Sequence, residues 1–270
     1  MLKVRIATGV VLSCLLALGL FVLPPRGTVL VFGVVGTLGA WEWAGFGALA
    51  SAPARLAYAC GMALLFMLSW QWTSDPAHLL ILLAIACVWW ATALLWLALA
   101  PERHSARLAL LCGVPVLVPA FVSLARLQTA GHGRITGPQV VLWLLLVVIA
   151  ADIGAFFAGR SLGRHKLAPR VSPGKTWEGA AGGLLAVALV AWGGALYFRL
   201  AVLPCVGFGC LVGVFSVVGD LTESMFKRSA GLKDSGALLP GHGGVLDRID
   251  SVTAAAPLYA LGLFGSGAIA

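Results

Sequence analysis

Charged residues are scarce in this chain of 270 residues, and the scarcity limits the kind of protein it encodes. Asp, Glu, Lys and Arg make up 10% of the sequence, while 60% of the residues are hydrophobic. The mean hydropathy is +0.99. A soluble domain carries about 25% charged residues. A soluble protein is therefore excluded, no nucleic-acid partner is expected, and an integral membrane protein is predicted.

Cysteine pairs and domain linkers are also missing. All six cysteines lie inside apolar runs without a Cys-x-x-Cys spacing or a nearby histidine: Cys14, Cys60, Cys87, Cys112, Cys205 and Cys210. We interpret them as small core residues. The sequence has no internal repeat and no Pro-, Ser- or Gly-rich linker. One domain covering 1–270 is therefore predicted.

What the sequence does have is long apolar runs. A helix that crosses a bilayer needs about 20 apolar residues, and nine such runs lie at roughly 4–23, 28–50, 56–72, 78–99, 108–124, 139–158, 179–198, 201–221 and 252–269. The first run exceeds the about 7–15 residues of a signal-peptide h-region and lacks a cleavage site, so we expect it to be retained. The predicted fold is an all-α polytopic membrane protein with about nine transmembrane helices.

Lys and Arg are unevenly divided between the two sides of this map. With the N-terminus inside, fourteen of the 18 fall on inside segments, and the others are Arg26, Arg126, Arg134 and Arg199. Lys and Arg are enriched on the cytoplasmic side of membranes. We therefore predict a multi-pass protein of the plasma (inner) membrane with a cytoplasmic N-terminus, cytoplasmic loops at 159–178 and 222–251, and an external C-terminus.

The few acidic residues lie where topology does not require them. Seven of the ten follow residue 150: Asp152, Glu178, Asp220, Glu223, Asp234, Asp247 and Asp250. A carboxylate near the bilayer centre costs about 2.5–3.5 kcal/mol on insertion scales. We expect those within or beside the spans to converge at one mouth, which predicts a polar active-site cavity facing the cytoplasm.

Spacing places several of these charges on shared helical faces. Four polar residues occur at i, i+3, i+4 and i+7: Asp220, Glu223, Ser224 and Lys227. Asp247 and Asp250 are also one turn apart. Two such groups facing each other form a hard-cation site, because Mg²⁺ prefers carboxylate oxygens and completes its shell with water and phosphate. Salt bridges explain the spacing equally well, and their cations would be Lys227, Arg228, Lys233 and Arg248.

The segment 159–179 is basic and precedes a predicted helix. Ser172 followed by Pro173 is typical of an N-cap and a first-turn proline. Free amides at such a helix start, beside Lys175, are suited to a phosphate group. A solvated basic loop is the alternative interpretation.

A histidine and a glutamate each have two interpretations. His242 lies in Pro240-Gly241-His242-Gly243-Gly244, where glycines allow positive φ and a close approach to a ligand. A single histidine is more often structural, although this setting favours ligand contact. Glu42 lies in the middle of the second predicted span, where a carboxylate indicates function by default. A structural partner for Glu42 fits equally well.

Residues 224–250, "SMFKRSAGLKDSGALLPGHGGVLDRID", resemble the signature of the phosphatidate cytidylyltransferases (CDP-diacylglycerol synthases). Every defined position of that signature is filled, from Ser and Lys-Arg through Lys-Asp, Pro and His-Gly-Gly to Asp-Arg and Asp. Upstream, "DIGA" at 152–155, Gly159-Arg160 and "SPGKTWEG" at 172–179 are also similar to the family. Gly174 stands where Lys is common, which removes one phosphate contact. The resemblance is specific over about 150–251.

The resemblance implies a dimeric, polytopic helical enzyme with a funnel-like cavity open to the cytoplasm and the membrane. It implies transfer of the cytidylyl group of CTP to phosphatidate, giving CDP-diacylglycerol and pyrophosphate. It also implies that Mg²⁺ is required, and it does not decide whether a second cation binds. The expected partners are CTP, phosphatidate, membrane lipids and a second copy of the chain. Residues 1–150 are then mainly scaffold, 151–251 carry the catalytic helices and loops, and 252–269 form the last helix.

Roles for individual residues follow from this resemblance together with their chemistry. The expected metal ligands are Asp220, Asp247, Asp250 and Asp152. The expected catalytic residues are Lys227, Arg228, Lys233, Asp234, His242 and Arg248. The expected substrate-binding residues are Ser172, Lys175, Thr176, Glu178, Ser224, Gly243 and Gly244.

Three other classes of protein account for parts of the pattern. A CTP-dependent lipid kinase would transfer the γ-phosphate to a lipid alcohol, but it does not explain the full signature. A transporter would spread its acids along a path instead of gathering them at one face. A CDP-alcohol phosphotransferase would carry an Asp-rich run with Asp-Gly and Ala-Arg, which the sequence lacks.

Overall fold

Helices form most of this computed structural model, which describes residues 11, 14–101, 105–132, 135–239, 241 and 243–269. Helix α1 covers 14–21. The following helices are α2 (Pro25–Trp43), α3 (Ala52–Trp72), α4 (Pro76–Leu99), α5 (Ala106–Thr129), α6 (Gly137–Leu162), α7 (Trp177–Phe198), α8 (Val202–Ser229) and α9 (Asp250–Gly265). Two short antiparallel hairpins pair β1 (Gly131–His132) with β2 (Ile135–Thr136), and β3 (Lys166–Ala168) with β4 (Ser172–Thr176). A 3₁₀ turn spans Leu246–Arg248.

Six helices of the described chain, α3 to α8, are long and apolar enough to cross a membrane. They coincide with six of the nine predicted runs, so the chain is a multi-pass membrane protein. Helix α9 has only 16 residues, about 24 Å at helical rise, which is less than a hydrocarbon core of about 30 Å. The predicted count of about nine spans is confirmed only for these six, and the run 4–23 falls largely outside the described residues.

The predicted helix start at Ser172 and Pro173 is wrong. These residues belong to strand β4, and helix α7 begins at Trp177. Its N-cap is Thr176, whose Oγ1 accepts a hydrogen bond from the N–H of Gly179 at 3.1 Å. Proline has no N–H to donate, so it is tolerated in a two-stranded hairpin as it is at a helix start. The Ser-Pro pattern is therefore compatible with both structures.

Helix α9 lies at the centre of the bundle, although it is the shortest helix after α1. It packs against α4, α5, α6 and α8. Its buried face includes Ala254, Ala255 and Ala256, which are 0% exposed. Small side chains let helix backbones approach closely in a membrane. At the start of α9 a Cβ added to Gly219 of α8 would lie 2.5 Å from the carbonyl oxygen of Asp250, so the two backbones touch.

Helices α6 and α7 also meet through small residues. A Cβ added to Gly154 would lie 2.6 Å from the carbonyl oxygen of Gly182, and one added to Gly183 would lie 2.7 Å from that of Ala151. These contacts are with backbone atoms, which cannot move aside as a flexible side chain can. The close packing holds α6 and its Asp152 against the start of α7 and the β3–β4 hairpin.

Replacing Gly183 with alanine tests this packing. We expect Gly183→Ala to lower the free energy of unfolding by about 1–3 kcal/mol, because the new methyl group overpacks the helix interface. The matched control is Gly193→Ala in the same helix, where nothing lies within 4 Å of the added Cβ. The measurement is the Tm of the purified variants in detergent. Equal Tm values for the two variants would contradict a backbone contact at Gly183.

Candidate active site

The signature segment forms a loop between α8 and α9 whose shape depends on glycines. Gly241 has φ +77° and Gly243 has φ +80°, which confirms the predicted left-handed conformation at these two positions. The N–H of Leu239 donates to the carbonyl oxygen of Gly243 at 2.9 Å, closing a tight turn. His242, predicted to contact a ligand, lies outside the described residues.

Glu42 holds this loop from the far end of the chain. Its side chain is 2% exposed. Its Oε2 accepts hydrogen bonds from Ser235 Oγ at 3.0 Å and from the N–H of Leu246 at 2.8 Å, and its Oε1 accepts from the N–H of Val245 at 3.1 Å. A Cβ added to Gly244 would lie 2.4 Å from Oε2, so only glycine fits there. These contacts give Glu42 a positioning role, which was one of the two interpretations left open by the sequence.

Asp247 is the second anchor of the loop. Its Oδ1 lies 2.7 Å from Lys227 Nζ, and its Oδ2 accepts from the N–H groups of Ser235 and Gly244 at 2.9 Å each. Lys227 Nζ also lies 3.0 Å from Oε1 of the buried Glu223. Burial raises the pKa of Asp247, but the hydrogen bonds and the charge of Lys227 outweigh burial and lower its pKa below the ordinary value. Asp247 is therefore a stable anion, and its predicted role as a metal ligand stays a prediction.

Asp220 joins helix α8 to the β3–β4 hairpin. Its Oδ2 lies 2.6 Å from Lys175 Nζ, and its Oδ1 accepts a hydrogen bond from Ser224 Oγ at 3.3 Å. The Lys175 and Asp220 side chains are each 26% exposed, so the pair is open to small molecules. The sequence assigned Lys175 to the substrate and Asp220 to a metal ion, and the two side chains are thus in direct contact.

Asp152, Asp220 and Asp250 share one region although they come from α6, α8 and α9. The three carboxylates are close enough to interact electrostatically. In the part of the chain that the structure describes, no three His, Cys, Asp or Glu residues converge tightly enough to enclose a metal ion. Their chemistry is nevertheless that of a hard-cation site, because all three offer carboxylate oxygens.

A cavity of about 410 Å³ opens beside these acids. It lies between α6, the β3–β4 hairpin, the start of α7 and α8. Its polar side chains are Asp152, Arg160, Lys175, Thr176 and Asp220. Its apolar side chains include Ala151, Ala155, Phe156 and Leu167. The cavity therefore combines two acidic and two cationic side chains with an apolar wall, which suits a ligand that has both charged and apolar parts.

Glu178 contacts a neighbouring loop instead of lining this cavity. Its carboxylate accepts hydrogen bonds from the N–H of Arg164 at 3.1 Å and from the N–H of His165 at 3.2 Å, and it lies 2.6 Å from His165 Nδ1. It therefore fixes the turn before β3. The predicted substrate contact of Glu178 stays a prediction, and no local sequence pattern paired it with His165.

The remaining predicted residues lie mostly at the surface. Arg228 donates from Nη1 to the carbonyl oxygen of Leu232 at 3.1 Å. Lys233 and Asp234 are exposed in the loop, and Ser172 is half-buried in β4. Arg248 is exposed and interacts electrostatically with Asp152. The structure thus brings Arg248 close to the acids, and it leaves Lys233 and Asp234 at the rim of the loop.

The fold and the site together define a multi-pass helical membrane protein with acids and cations gathered at one end of its bundle. The model of the Cytidylyltransferase family matches residues 3–264. The phosphatidate cytidylyltransferase of Pseudomonas aeruginosa is 43% identical over 278 residues, which cover 99% of this chain and 98% of that protein. The phosphatidate cytidylyltransferase of Haemophilus influenzae is 38% identical over 284 residues, with 96% and 97% covered. The chain therefore belongs to the cytidylyltransferase family, which confirms the resemblance in residues 224–250.

The positioning role of Glu42 can be tested by Glu42→Gln. Glutamine keeps the size but presents one amide N–H₂ donor to the backbone N–H donors of Val245 and Leu246. A buried donor without an acceptor costs about 1–3 kcal/mol, so we expect a lower Tm and faster trypsin cleavage after Lys233. Ser235→Ala is the graded control, because it removes one of the three hydrogen bonds. A Glu42→Gln variant that melts and is cleaved like the wild type would contradict this role.

Proposed function

We propose that this protein transfers the cytidylyl group of CTP to phosphatidate, giving CDP-diacylglycerol and pyrophosphate for phospholipid synthesis. The observation that carries the proposal is near full-length identity of 43% and 38% with two proteins named phosphatidate cytidylyltransferase. The site supports it independently, because charged and apolar surfaces meet in one cavity. Phosphatidate has an anionic headgroup and apolar chains, and it needs both kinds of surface.

The transfer is a substitution at the α-phosphorus of CTP. An oxygen of the phosphatidate monoester forms a bond to that phosphorus, and the bond from the phosphorus to the oxygen bridging to the β-phosphate breaks. Pyrophosphate leaves with the electron pair. The nucleophile is already anionic at neutral pH, so no strong general base is needed. The barrier is the approach of one anion to another, which enzymes lower by positioning and by placing cations nearby.

Lys175 is one of the two cations that line the cavity and is placed to neutralise phosphate charge once Asp220 releases it. It lines the cavity opposite Asp152 and is partly exposed. Thr176 lines the same wall and caps α7. Lys227 is buried between Glu223 and Asp247, so its first role is to fix the loop. We propose catalytic roles for Arg228, Lys233, Asp234, His242 and Arg248. We propose substrate binding for Ser172, Glu178, Ser224, Gly243 and Gly244.

We propose Mg²⁺ as the cofactor because of the chemistry of the nearby carboxylates, which offer the hard oxygen donors that this ion prefers. Asp152, Asp220 and Asp250 provide hard oxygen donors from three helices, and Ser224 supports Asp220. We propose that they hold the ion, with Asp247 as an additional ligand and a second cation left open. A bound Mg²⁺ would supply positive charge to the triphosphate. The chain's own part is to keep these carboxylates adjacent and to release Asp220 from Lys175.

The orientation and the assembly belong to the same proposal. The ends of α2, α6 and α8 and the starts of α7 and α9 contribute to the site, together with the basic segments 159–178 and 227–248. Positively charged segments face the cytoplasm. We propose an inner-membrane enzyme with a cytoplasmic N-terminus and active site, an external C-terminus and a homodimeric state. We propose that the catalytic residues lie in 151–251 and that Glu42 of the scaffold 1–150 helps to position them, because it accepts hydrogen bonds from the α8–α9 loop.

Labelled CTP tests the reaction directly. Purified protein in detergent receives phosphatidate, Mg²⁺ and CTP labelled on the α- or the γ-phosphate. We expect the α-label in the lipid phase and the γ-label in pyrophosphate. The γ-label in the lipid would establish the kinase alternative instead. Absence of transfer from either position would contradict both enzymes.

Asp220→Asn is expected to reduce the rate of transfer at least about 100-fold, since it removes a negative charge that we propose for binding Mg²⁺ beside the phosphates. The amide should still accept a hydrogen bond from Ser224, so the Tm should change little. The matched control is Asp75→Asn at the N-cap of α4, where asparagine is also a good cap. Steady-state rates under saturating CTP and phosphatidate give the comparison. A fully active Asp220→Asn variant would rule out the proposed role.

A further inference from the structure

Helix α6 carries an exposed apolar stripe that ends at an arginine. Ile149, Ile153, Phe156 and Phe157 are 47% to 66% exposed. Their spacing of four, three and one residues places them on one helical face, and Arg160 continues that face three residues beyond Phe157. From Ile149 to Arg160 the helix rises about 16 Å, which is about half of a hydrocarbon core of about 30 Å. The stripe thus has the length of one leaflet and a cation at its end.

The stripe and the cavity share a rim. Phe156 and Arg160 belong to the stripe and also line the cavity beside Asp152 and Asp220. Phe156 is 58% exposed, so the cavity is open sideways at this residue. A lipid lying along α6 would therefore reach the acids and cations of the site without leaving the bilayer.

Arg160 is available to a ligand. Among the described residues its side chain makes no hydrogen bond or ion pair. Lys175, the other cation that lines the cavity, is held by Asp220 at 2.6 Å. A guanidinium binds phosphate through two parallel hydrogen bonds, and it does so more specifically than an ammonium group. Arg160 is thus an exposed arginine beside an apolar helix face and the cavity, and this arrangement is suited to binding the phosphate of a lipid.

We infer that Arg160 and the exposed face of α6 form the phosphatidate site, in which Arg160 binds the headgroup phosphate and the acyl chains lie along Ile149, Ile153 and Phe157. The inference rests on the proposed function and deepens it. Phosphatidate fits better than CTP, because CTP has no apolar part to occupy the stripe. A topological role for Arg160 as a basic residue at a helix end is the competing explanation.

Kinetic constants for the two substrates separate these explanations. The variants are Arg160→Gln and Arg160→Lys, and Arg164→Gln is the matched control, because Arg164 is exposed but does not line the cavity. We expect Arg160→Gln to raise the KM for phosphatidate in mixed micelles about tenfold or more, with the KM for CTP within about twofold. Arg160→Lys should be intermediate, since it keeps the charge but loses the planar fork. Arg164→Gln should behave like the wild type.

The inference is overturned by any of three results. The first is an unchanged KM for phosphatidate in Arg160→Gln. The second is an equal rise of that KM in Arg164→Gln. The third is a rise of the KM for CTP alone in Arg160→Gln. Membrane content of each variant, measured by immunoblot, checks insertion. A topological role would reduce the membrane content of Arg160→Gln and leave the KM of the inserted protein unchanged.

A binding experiment without CTP distinguishes failure of the lipid site from failure of the proposed reaction. Labelled dioleoyl phosphatidate is bound to purified protein in micelles, with phosphatidylcholine as the neutral-headgroup comparison. We expect weaker phosphatidate binding in Arg160→Gln and no competition from glycerol 3-phosphate, which has the phosphate without the chains. Wild-type binding that depends on Arg160, in a protein that does not transfer from CTP, would refute the reaction and keep the site. If the wild type transfers the cytidylyl group and Arg160→Gln still binds phosphatidate normally, the proposed reaction is kept and the lipid site is refuted.

Discussion

The structure depends on one buried carboxylate that needs hydrogen-bond donors. Glu42 cannot reach water, and a charge without donors in such a place is costly. It obtains three donors from the segment 235–246, so the α8–α9 loop is drawn onto the end of α2. The same loop supplies two amides to Asp247, and Asp247 then pairs with Lys227 of α8. The hydrogen bonds that Glu42 accepts thus fix the position of the loop that binds Asp247.

Two kinds of acid can be separated by what they already contact. Glu42, Asp247 and Glu178 accept backbone amides and stabilise loops. Asp152, Asp220 and Asp250 form the second group because they lie near one another, and of these Asp250 also accepts a hydrogen bond from the N–H of Ser251 at 2.7 Å. Like charges at close range repel one another in a low dielectric, so the second group is favourable mainly in the presence of cations. Lys175, which lies 2.6 Å from Asp220, supplies one such cation from within the chain, and a bound ligand would supply others.

The sequence predicted the helices and the signature loop better than it predicted contacts. Apolar runs located α3 to α8, and the signature located the loop, since both are local patterns. The partners of Glu42 lie 193 to 204 residues away, and no periodicity encodes such a distance. Ser172 was misassigned because proline fits a hairpin strand as well as a helix start. Arg160 received no site role from the sequence beyond the family-like Gly159-Arg160 pair, because the charged side chains of Lys175 and Asp220 on the same cavity come from other elements of the chain.

Small residues explain why the acids come close to one another without a large cleft. Gly219 lets the backbone of α8 touch α9 beside Asp220 and Asp250, and Gly183 lets α7 touch α6 at Ala151, next to Asp152. Backbone contact between helices removes the space that side chains would occupy, so carboxylates from three helices lie near one another, and two of them, Asp152 and Asp220, line the cavity. Phe156, one helical turn after Asp152, lines the same cavity and is 58% exposed. The cavity therefore places carboxylates beside an exposed apolar edge, so that the charged and the apolar parts of one ligand can be bound together.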